Sequence, residues 1–558
     1  MLLASKTATV DVTPGTTSSV FFSKNQKWAL LTLVTIGVAL RLFHFFDNRS
    51  FWIDELYLNV SLVKMGFQEL ATLPMAYEQK APLGYLWAEK LAVVLFGKGE
   101  MALRLFPLIC GIGSLLVFIP VARHFLKPWG VLVALGVLTL GGPAIYHAVE
   151  AKQYSTELFA SILSLYFYIR FRKSDRIPAL VLWGIGGGLL VWFSYSTIFM
   201  LAGIAIAVSA GLLLKQDWKN FFLRIIPFAM WLVSFGLVYY FYMMKFQDSG
   251  WLKYFFEVMY NAFMPLPPTS LHDLTWFVRT PYVLLQHPLG LLLNFGGHVK
   301  DYSAVQSVFR MPFLPLLLGA LGAFSLFRRN KFDFALLVLP IALALLASGL
   351  KLYPFNERFT LFLLPLFILL LAFGAERAVA FFSSKNKAVA PLLLLLILAP
   401  PAWNATREVV DPGNFYKKEY NREAVLYVND RYKPGDVVYV YWNMYHAYTY
   451  YKEAYNLKYE AVGGKDLRHS SKSTEEYLNN VLQEMGDLGS KKRLWLIYNP
   501  GLKNNIGDFV GLEPKWYHEQ GFEAGKTLES SITALGATPA DSLQLESVAV
   551  KLFDLPTR

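Results

Sequence analysis

Apolar runs of about 18 or more residues recur along this chain, and each is long enough to cross a bilayer. Such runs leave few folds open. In hydrocarbon every backbone polar group must be satisfied within the protein, so repeated apolar runs of this length become helices. Of the 558 residues, 55% are hydrophobic and only 16% are charged, against roughly 25% charged in soluble proteins. Spans are expected near 27–46, 102–122, 130–147, 155–171, 178–196, 198–214, 221–243, 311–327, 333–350, 359–379 and 388–403, about eleven helices. The expected fold is a polytopic α-helical membrane protein. The net charge of +12 then belongs to basic loops near anionic lipid, and is no nucleic-acid signal. The single cysteine, Cys110, lies inside an apolar run and excludes a disulfide framework or cysteine metal cluster within the chain. Residues 1–26 are polar and lack a cleavable-signal pattern, so the first span reads as a retained helix.

Basic residues orient the spans. Lys24 and Lys27; Arg123 and Lys127; Arg170, Arg172, Lys173 and Arg176; Lys215 and Lys219; Arg328, Arg329 and Lys331; Lys385 and Lys387 fall in alternate connections. Those connections belong in the cytoplasm. The N-terminus is then inside, and an odd number of spans puts the C-terminus outside. Residues 83–97 resemble a short span, but Glu89 and Lys90 interrupt them, and counting them would reverse every later loop. They read as a helix lying along the outer membrane surface.

Two domains are expected. Residues 1–403 form the transmembrane part, with an outer-face loop at 47–101. Residues 404–558 lose the long apolar runs and read as a soluble extracytoplasmic α/β domain. Its expected strands are Val425–Val428, Val437–Tyr441, Leu494–Tyr498 and Val548–Leu552, with a helix from Thr474 to Leu488. It shows no Gly-rich phosphate loop, and the chain shows no internal repeat.

Four groups on three outer connections can do chemistry. Asp54 and Glu55 follow the first span, between Trp52 and Tyr57. Adjacent side chains diverge on a helix or strand, so one carboxylate can face a pocket while the other orients a partner. A hydrated cap is the plain alternative. Lys80 precedes Pro82 and could meet a phosphate, or could snorkel as an anchor. His147, Glu150 and Lys152 share a tight turn, where Glu150 and Lys152 could pair locally or Lys152 could face the shared cavity, and His147 reads as an interface residue rather than a metal ligand. Arg358 opens a helix, where the dipole disfavours a cation, so an anionic partner is expected. Glu357 is the nearest candidate. Carboxylates and cations at one water–lipid boundary suit sugar transfer from a lipid phosphate. Phosphate leaves readily but needs cationic stabilisation, and the acceptor hydroxyl needs a base.

Several motifs carry a family resemblance: Phe51-Trp52-Ile53-Asp54-Glu55, Gln79-Lys80-Ala81-Pro82-Leu83-Gly84-Tyr85, Leu95 to Leu105, and Glu150-Ala151-Lys152-Gln153-Tyr154. In this order, over about residues 27–380, the chain resembles the polyprenyl-phosphate-sugar-dependent glycosyltransferases of the C-type fold. Within them it is most similar to the protein O-mannosyltransferase and aminoarabinose-transferase-like group. The resemblance implies that Asp54 is the catalytic base and that Glu55 positions the acceptor. It implies that Lys80, Arg358 and, more weakly, Lys152 contact the donor phosphate. Glu150, Tyr353 and Arg104 are further cavity candidates. Two departures stand out: Ala81 where some relatives have a second proline, and Lys152 where many have arginine. Metal use varies in this fold, so a divalent metal stays open and no ligand cluster is assigned.

The expected function is inverting transfer of a sugar, hexosyl or pentosyl, from a polyprenyl phosphate carrier to an acceptor hydroxyl. The acceptor is a lipid, a glycan or a protein, and the location a bacterial inner membrane. A lipid or solute transporter or flippase is the alternative. A transporter would show ionisable or helix-breaking residues near mid-membrane. Here the polar groups cluster at outer turns, and Gly186-Gly187-Gly188 is explained by close helix packing.

Overall fold

The computed structural model describes residues 23–244, 249–294, 303–382, 388–509 and 514–556, and places a helix at each of the eleven expected spans. Residues 1–22, Lys385 and Lys387 lie outside the described residues. Seven helices are long and apolar enough to cross a membrane by themselves. An eighth span is a pair, Pro128–Leu140 and Gly142–Val149, bent by 58°. The other three fall short in length or in apolarity: Tyr154–Phe171 with 18 residues, Ile177–Phe193 with 17 and Phe313–Arg329 with 17. Residues 83–97 are helical over Leu83–Phe96, and Glu89 is fully buried there.

Small residues set the tightest helix crossing. A Cβ on Gly322 would stand 1.8 Å from the Leu370 carbonyl oxygen, and one on Gly374 1.8 Å from that of Leu318. The helices Phe313–Arg329 and Leu364–Phe382 therefore touch backbone to backbone. Gly187 serves packing too: a Cβ there would fall 2.2 Å from Nε1 of Trp231, on the helix Trp218–Val238.

The helix ends sort into two sets. At one end Arg224 donates to the carbonyls of Arg172 and Ser174, and the N–H of Lys127 donates to Glu376. Those are ends carrying the basic clusters. The loop 47–101, the turn at 147–153 and the turn at 351–358 meet at the other end.

The tail holds one five-stranded sheet, ordered β2-β1-β3-β5-β4. Its strands are β1 (Val437–Val440), β2 (Ala461–Gly463), β3 (Arg493–Tyr498), β4 (Thr538–Leu545) and β5 (Val548–Asp554). β1 runs parallel to β2 and β3, and β5 is antiparallel to β3 and β4. One expected strand is wrong. Val425–Val428 lies in the helix Asn421–Arg431, whose buried residues Asn421, Ala424, Val425 and Val428 repeat with helical spacing. The β-branched run hid that period. The last span helix, Val389–Val410, continues beyond residue 403.

Side chains alternate across the sheet. Tyr439, Leu494 and Leu496 pack with Tyr477, Val481, Leu528 and Ile532 on one face. Val438, Val440, Trp495 and Ile497 face the other way, into one core with Phe51, Leu56, Leu58, Leu62 and Leu86. The tail thus shares a hydrophobic core with the loop 47–101. Polar contacts seal the junction: Tyr451 Oη accepts from the Phe51 N–H at 3.1 Å, and Arg422 reaches Glu100 at 3.0 Å and the Asn48 carbonyl at 2.7 Å.

Candidate active site

Asp54 and Glu55 occupy the first turn of the helix Ile53–Lys64. The helix dipole favours carboxylates there. Their side chains diverge, as adjacent helical positions must. Asp54 Oδ2 meets Arg358 Nη2 at 2.8 Å, with both side chains partly open, 24% and 19% exposed. Arg358 opens the 3₁₀ turn Glu357–Leu363. The anion it needs at that helix start is Asp54, some three hundred residues earlier in the chain, rather than Glu357. Its guanidinium also lies over Trp52, Tyr154 and Phe359 at 5.7, 5.8 and 5.6 Å from the ring centres. Tyr353 braces this turn by donating to the Phe359 carbonyl at 2.9 Å.

Glu55 has a different environment from the one expected for an acceptor-positioning group. It is fully buried. Arg104 Nη2 holds both its oxygens at 3.0 Å, and Arg104 Nε adds 3.1 Å to Oε1. The Ala151 N–H donates to Oε1 at 2.9 Å, and Arg49 Nη2 stands 3.6 Å from Oε2. Arg104, itself 1% exposed, is therefore part of this anchor rather than a wall of the cavity. Arg49 donates in turn to the Val149 carbonyl at 2.8 Å. Glu55 ties the Asp54 helix to the turn that carries Glu150 and Lys152.

That turn follows the bent span. Glu150 and Lys152 do not pair locally. Glu150 is fully buried, accepts from Trp52 Nε1 at 2.9 Å and meets His147 Nδ1. His147 Nε2 lies 2.9 Å from Nε2 of His287. Lys152 Nζ donates to Gln79 Oε1 at 2.7 Å. Burial pushes the Lys152 ammonium down to about 8, with Asp54 opposing that shift and Arg358 adding to it. Lys80 follows Gln79 and has an exposed side chain. Asp54, Arg358 and Lys152 thus share one electrostatic neighbourhood, and Lys80 borders it through Gln79.

Two further charged residues, from the segment after the last span, stand at the site. Lys418 Nζ lies 3.7 Å from the Trp52 ring centre and 4.6 Å from that of Tyr146. Glu419 lies beside Asp54, and burial pushes its carboxyl up to about 7, opposed by hydrogen bonds from Asn421 and the Ile53 N–H. In sequence, Lys417-Lys418-Glu419 looks like a solvated charge run beyond the last span. Only the return of the tail onto the loop reveals it.

Asp466, His469 and Asp508 in the tail place potential metal-ligand atoms within 4.8 Å of one another. Arg468 pairs with both carboxylates. Its guanidinium occupies oxygens of both where a cation would bind, and offsets one of their two charges, so the group does not read as a metal site.

No family model matches the sequence, and no curated protein matches it. Solved structures do. ArnT from Cupriavidus metallidurans in the apo state aligns at a TM-score of 0.52 and 12% identity, over 95% of this chain and 98% of that one. ArnT bound to undecaprenyl phosphate aligns at 0.52 and 13%, over 94% and 98%. The apo oligosaccharyltransferase of Archaeoglobus fulgidus aligns at 0.50 and 12%, over 86% and 70%. These likenesses extend over most of the chain, tail included, and at such low identity they show architecture: the chain has the polytopic C-type glycosyltransferase fold that the sequence resemblance implied.

Proposed function

We propose that this protein transfers a sugar from a polyprenyl phosphate carrier to an acceptor hydroxyl, with inversion at the anomeric carbon. The observation that carries this reading is the Asp54–Arg358 pair, 2.8 Å apart and partly open, at the end of the helices away from the basic loops. A base and an anion-binding cation stand side by side there. ArnT, whose fold this chain shares, has been crystallised with undecaprenyl phosphate, which supports a lipid phosphate as the carrier.

In this reading Asp54 takes the acceptor proton as the hydroxyl oxygen bonds to the anomeric carbon. The bond from that carbon to the phosphate oxygen breaks, and the phosphate keeps the electron pair. Arg358, Lys152 and Lys80 stabilise the charge that develops on it. A single displacement inverts the centre and needs one carboxylate. Glu55 is a positioning residue, because its oxygens are occupied by Arg104, Arg49 and Ala151. In the free protein Arg358 holds Asp54. A bound phosphate competes for that guanidinium and frees the base, so donor binding precedes activation of the acceptor. Asp54 and the tail lie outside the cytoplasm, and the membrane is the bacterial inner membrane.

Native mass spectrometry of the purified protein tests the carrier. The wild-type protein retains added undecaprenyl phosphate, and Arg358→Gln loses it. Equal retention by both proteins contradicts the donor site.

A further inference from the structure

The segment that joins the last span to the tail enters the site with a cation no motif marks. We propose that Lys418 is a donor-binding residue, completing the phosphate site from the tail side; this rests on the donor reading above. Lys418 and Arg358 lie on the same indole, Trp52, at 3.7 and 5.7 Å from its ring. They are therefore close enough to grip one phosphate group from two sides.

Three features point to an anion between them. Lys418 is exposed, although aromatic rings of the site flank it. Among the described residues no carboxylate lies within ion-pair distance of it. Glu150 attracts it and Arg358 repels it, but the Glu150 oxygens are already engaged by His147 and Trp52. Arg358 has Asp54 as its counter-ion, whereas Lys418 has, among the described residues, no ion-pair partner of its own, so an anion bound between the two cations would meet a charge left without one. Cation–π contact alone offsets little at an exposed position, about 0.5–1 kcal/mol.

The segment is also held in place. Tyr416 is buried and stacks on His44, ring centres 3.7 Å apart. The Tyr420 N–H donates to Ser547 Oγ at 2.9 Å, and Asn421 Nδ2 donates to the Phe51 carbonyl at 3.0 Å. Lys418 is thus placed by anchors on both sides before any ligand arrives, which lowers the entropy cost of binding. The tail, on this inference, supplies part of the donor site as well as covering it.

The test compares the affinity of the full-length protein in detergent for undecaprenyl phosphate and for undecaprenol. Lys418→Met keeps the apolar stem over Trp52 and removes the charge; Lys418→Arg keeps the charge. A charge-assisted contact predicts a loss of roughly tenfold or more for the phosphate in Lys418→Met. It also predicts recovery in Lys418→Arg, and no change for undecaprenol. Wild-type affinity in Lys418→Met overturns the proposal. So does a loss that arginine does not restore, or an equal loss for undecaprenol, since either marks packing rather than charge. Arg358→Gln in the same assay separates the two claims. If it loses the phosphate while Lys418→Met does not, only the role of Lys418 fails. If neither variant loses it, the donor reading fails as well.

Discussion

Asp54 and Glu55 are consecutive residues with opposite surroundings, and the difference decides what each does. Asp54 is partly open and shares one guanidinium. Glu55 is sealed among two arginines and a backbone N–H. Removing one partner from a buried charge cluster typically costs about 3–5 kcal/mol. Glu55→Gln should therefore lower the melting temperature strongly, and Asp54→Asn should leave it nearly unchanged. Thermal unfolding of the two variants checks this, and similar melting points would contradict the division of roles. Lys152 gives a pH signature. Its ammonium sits near 8 in the free protein because of burial, so it is mostly charged at pH 7 and loses the proton as pH rises through 8. Donor affinity should fall across that window, and Lys152→Arg should flatten the fall. An unchanged profile would remove Lys152 from the donor site. Asp54, Arg358 and Lys152 were legible in the sequence because charged residues at turns next to apolar spans are costly without a purpose. The anchoring role of Arg104, which the resemblance marked only as a cavity candidate, was not, because its partners come from distant turns.

The Asp54 helix is short, and its placement depends on other elements. Tyr451, on the tail helix Trp442–Tyr455, accepts from the Phe51 N–H and lies 3.2 Å from Ser50 Oγ. Tyr451→Phe leaves that buried N–H without an acceptor, a cost of about 1–3 kcal/mol. The variant should unfold earlier and turn over more slowly, since the base sits three residues on. Unfolding and rate measurements check both, and a variant as stable and as fast as wild type would show that the tail does not hold this helix. The spans were readable as elements because long apolar runs have one solution in a bilayer. The tail was less so. Val425 to Val428 carries strand-forming residues in a helix whose buried face is set by Asn421 and Ala424 as much as by the valines. Local propensity yields to packing there. The helix Trp442–Tyr455 has a mixed aromatic composition with no clear stripe, and its buried Met444, Ala447, Tyr448, Tyr450 and Tyr451 are explained only by the core it shares with the loop.

At the scale of the molecule, the tail and the transmembrane helices meet around one site. The sheet core continues into the loop 47–101, so the two expected domains are joined by packing as well as by chain. The proposed orientation places this junction outside the cytoplasm. Lys472→Cys tests that: the position is exposed, and the native Cys110 is buried. A membrane-impermeant maleimide should label it in intact cells, and labelling only after permeabilisation would reverse the topology. The fold class was legible from apolar length and basic loops alone. The joint between tail and loop was not, because it consists of backbone acceptors and tyrosine hydroxyls that carry no sequence pattern.

The most direct measurement is turnover and donor binding in Asp54→Asn, made on one preparation. Asparagine keeps the shape of the side chain and cannot take a proton. Loss of a general base typically slows a reaction about 100- to 10,000-fold. With Asp54 as the base, sugar transfer from an undecaprenyl-phosphate-linked donor should fall by that much, with undecaprenyl phosphate affinity kept or raised as Arg358 is released from its carboxylate. Near-normal transfer by Asp54→Asn would rule out Asp54 as the base, and so would donor affinity lost together with turnover.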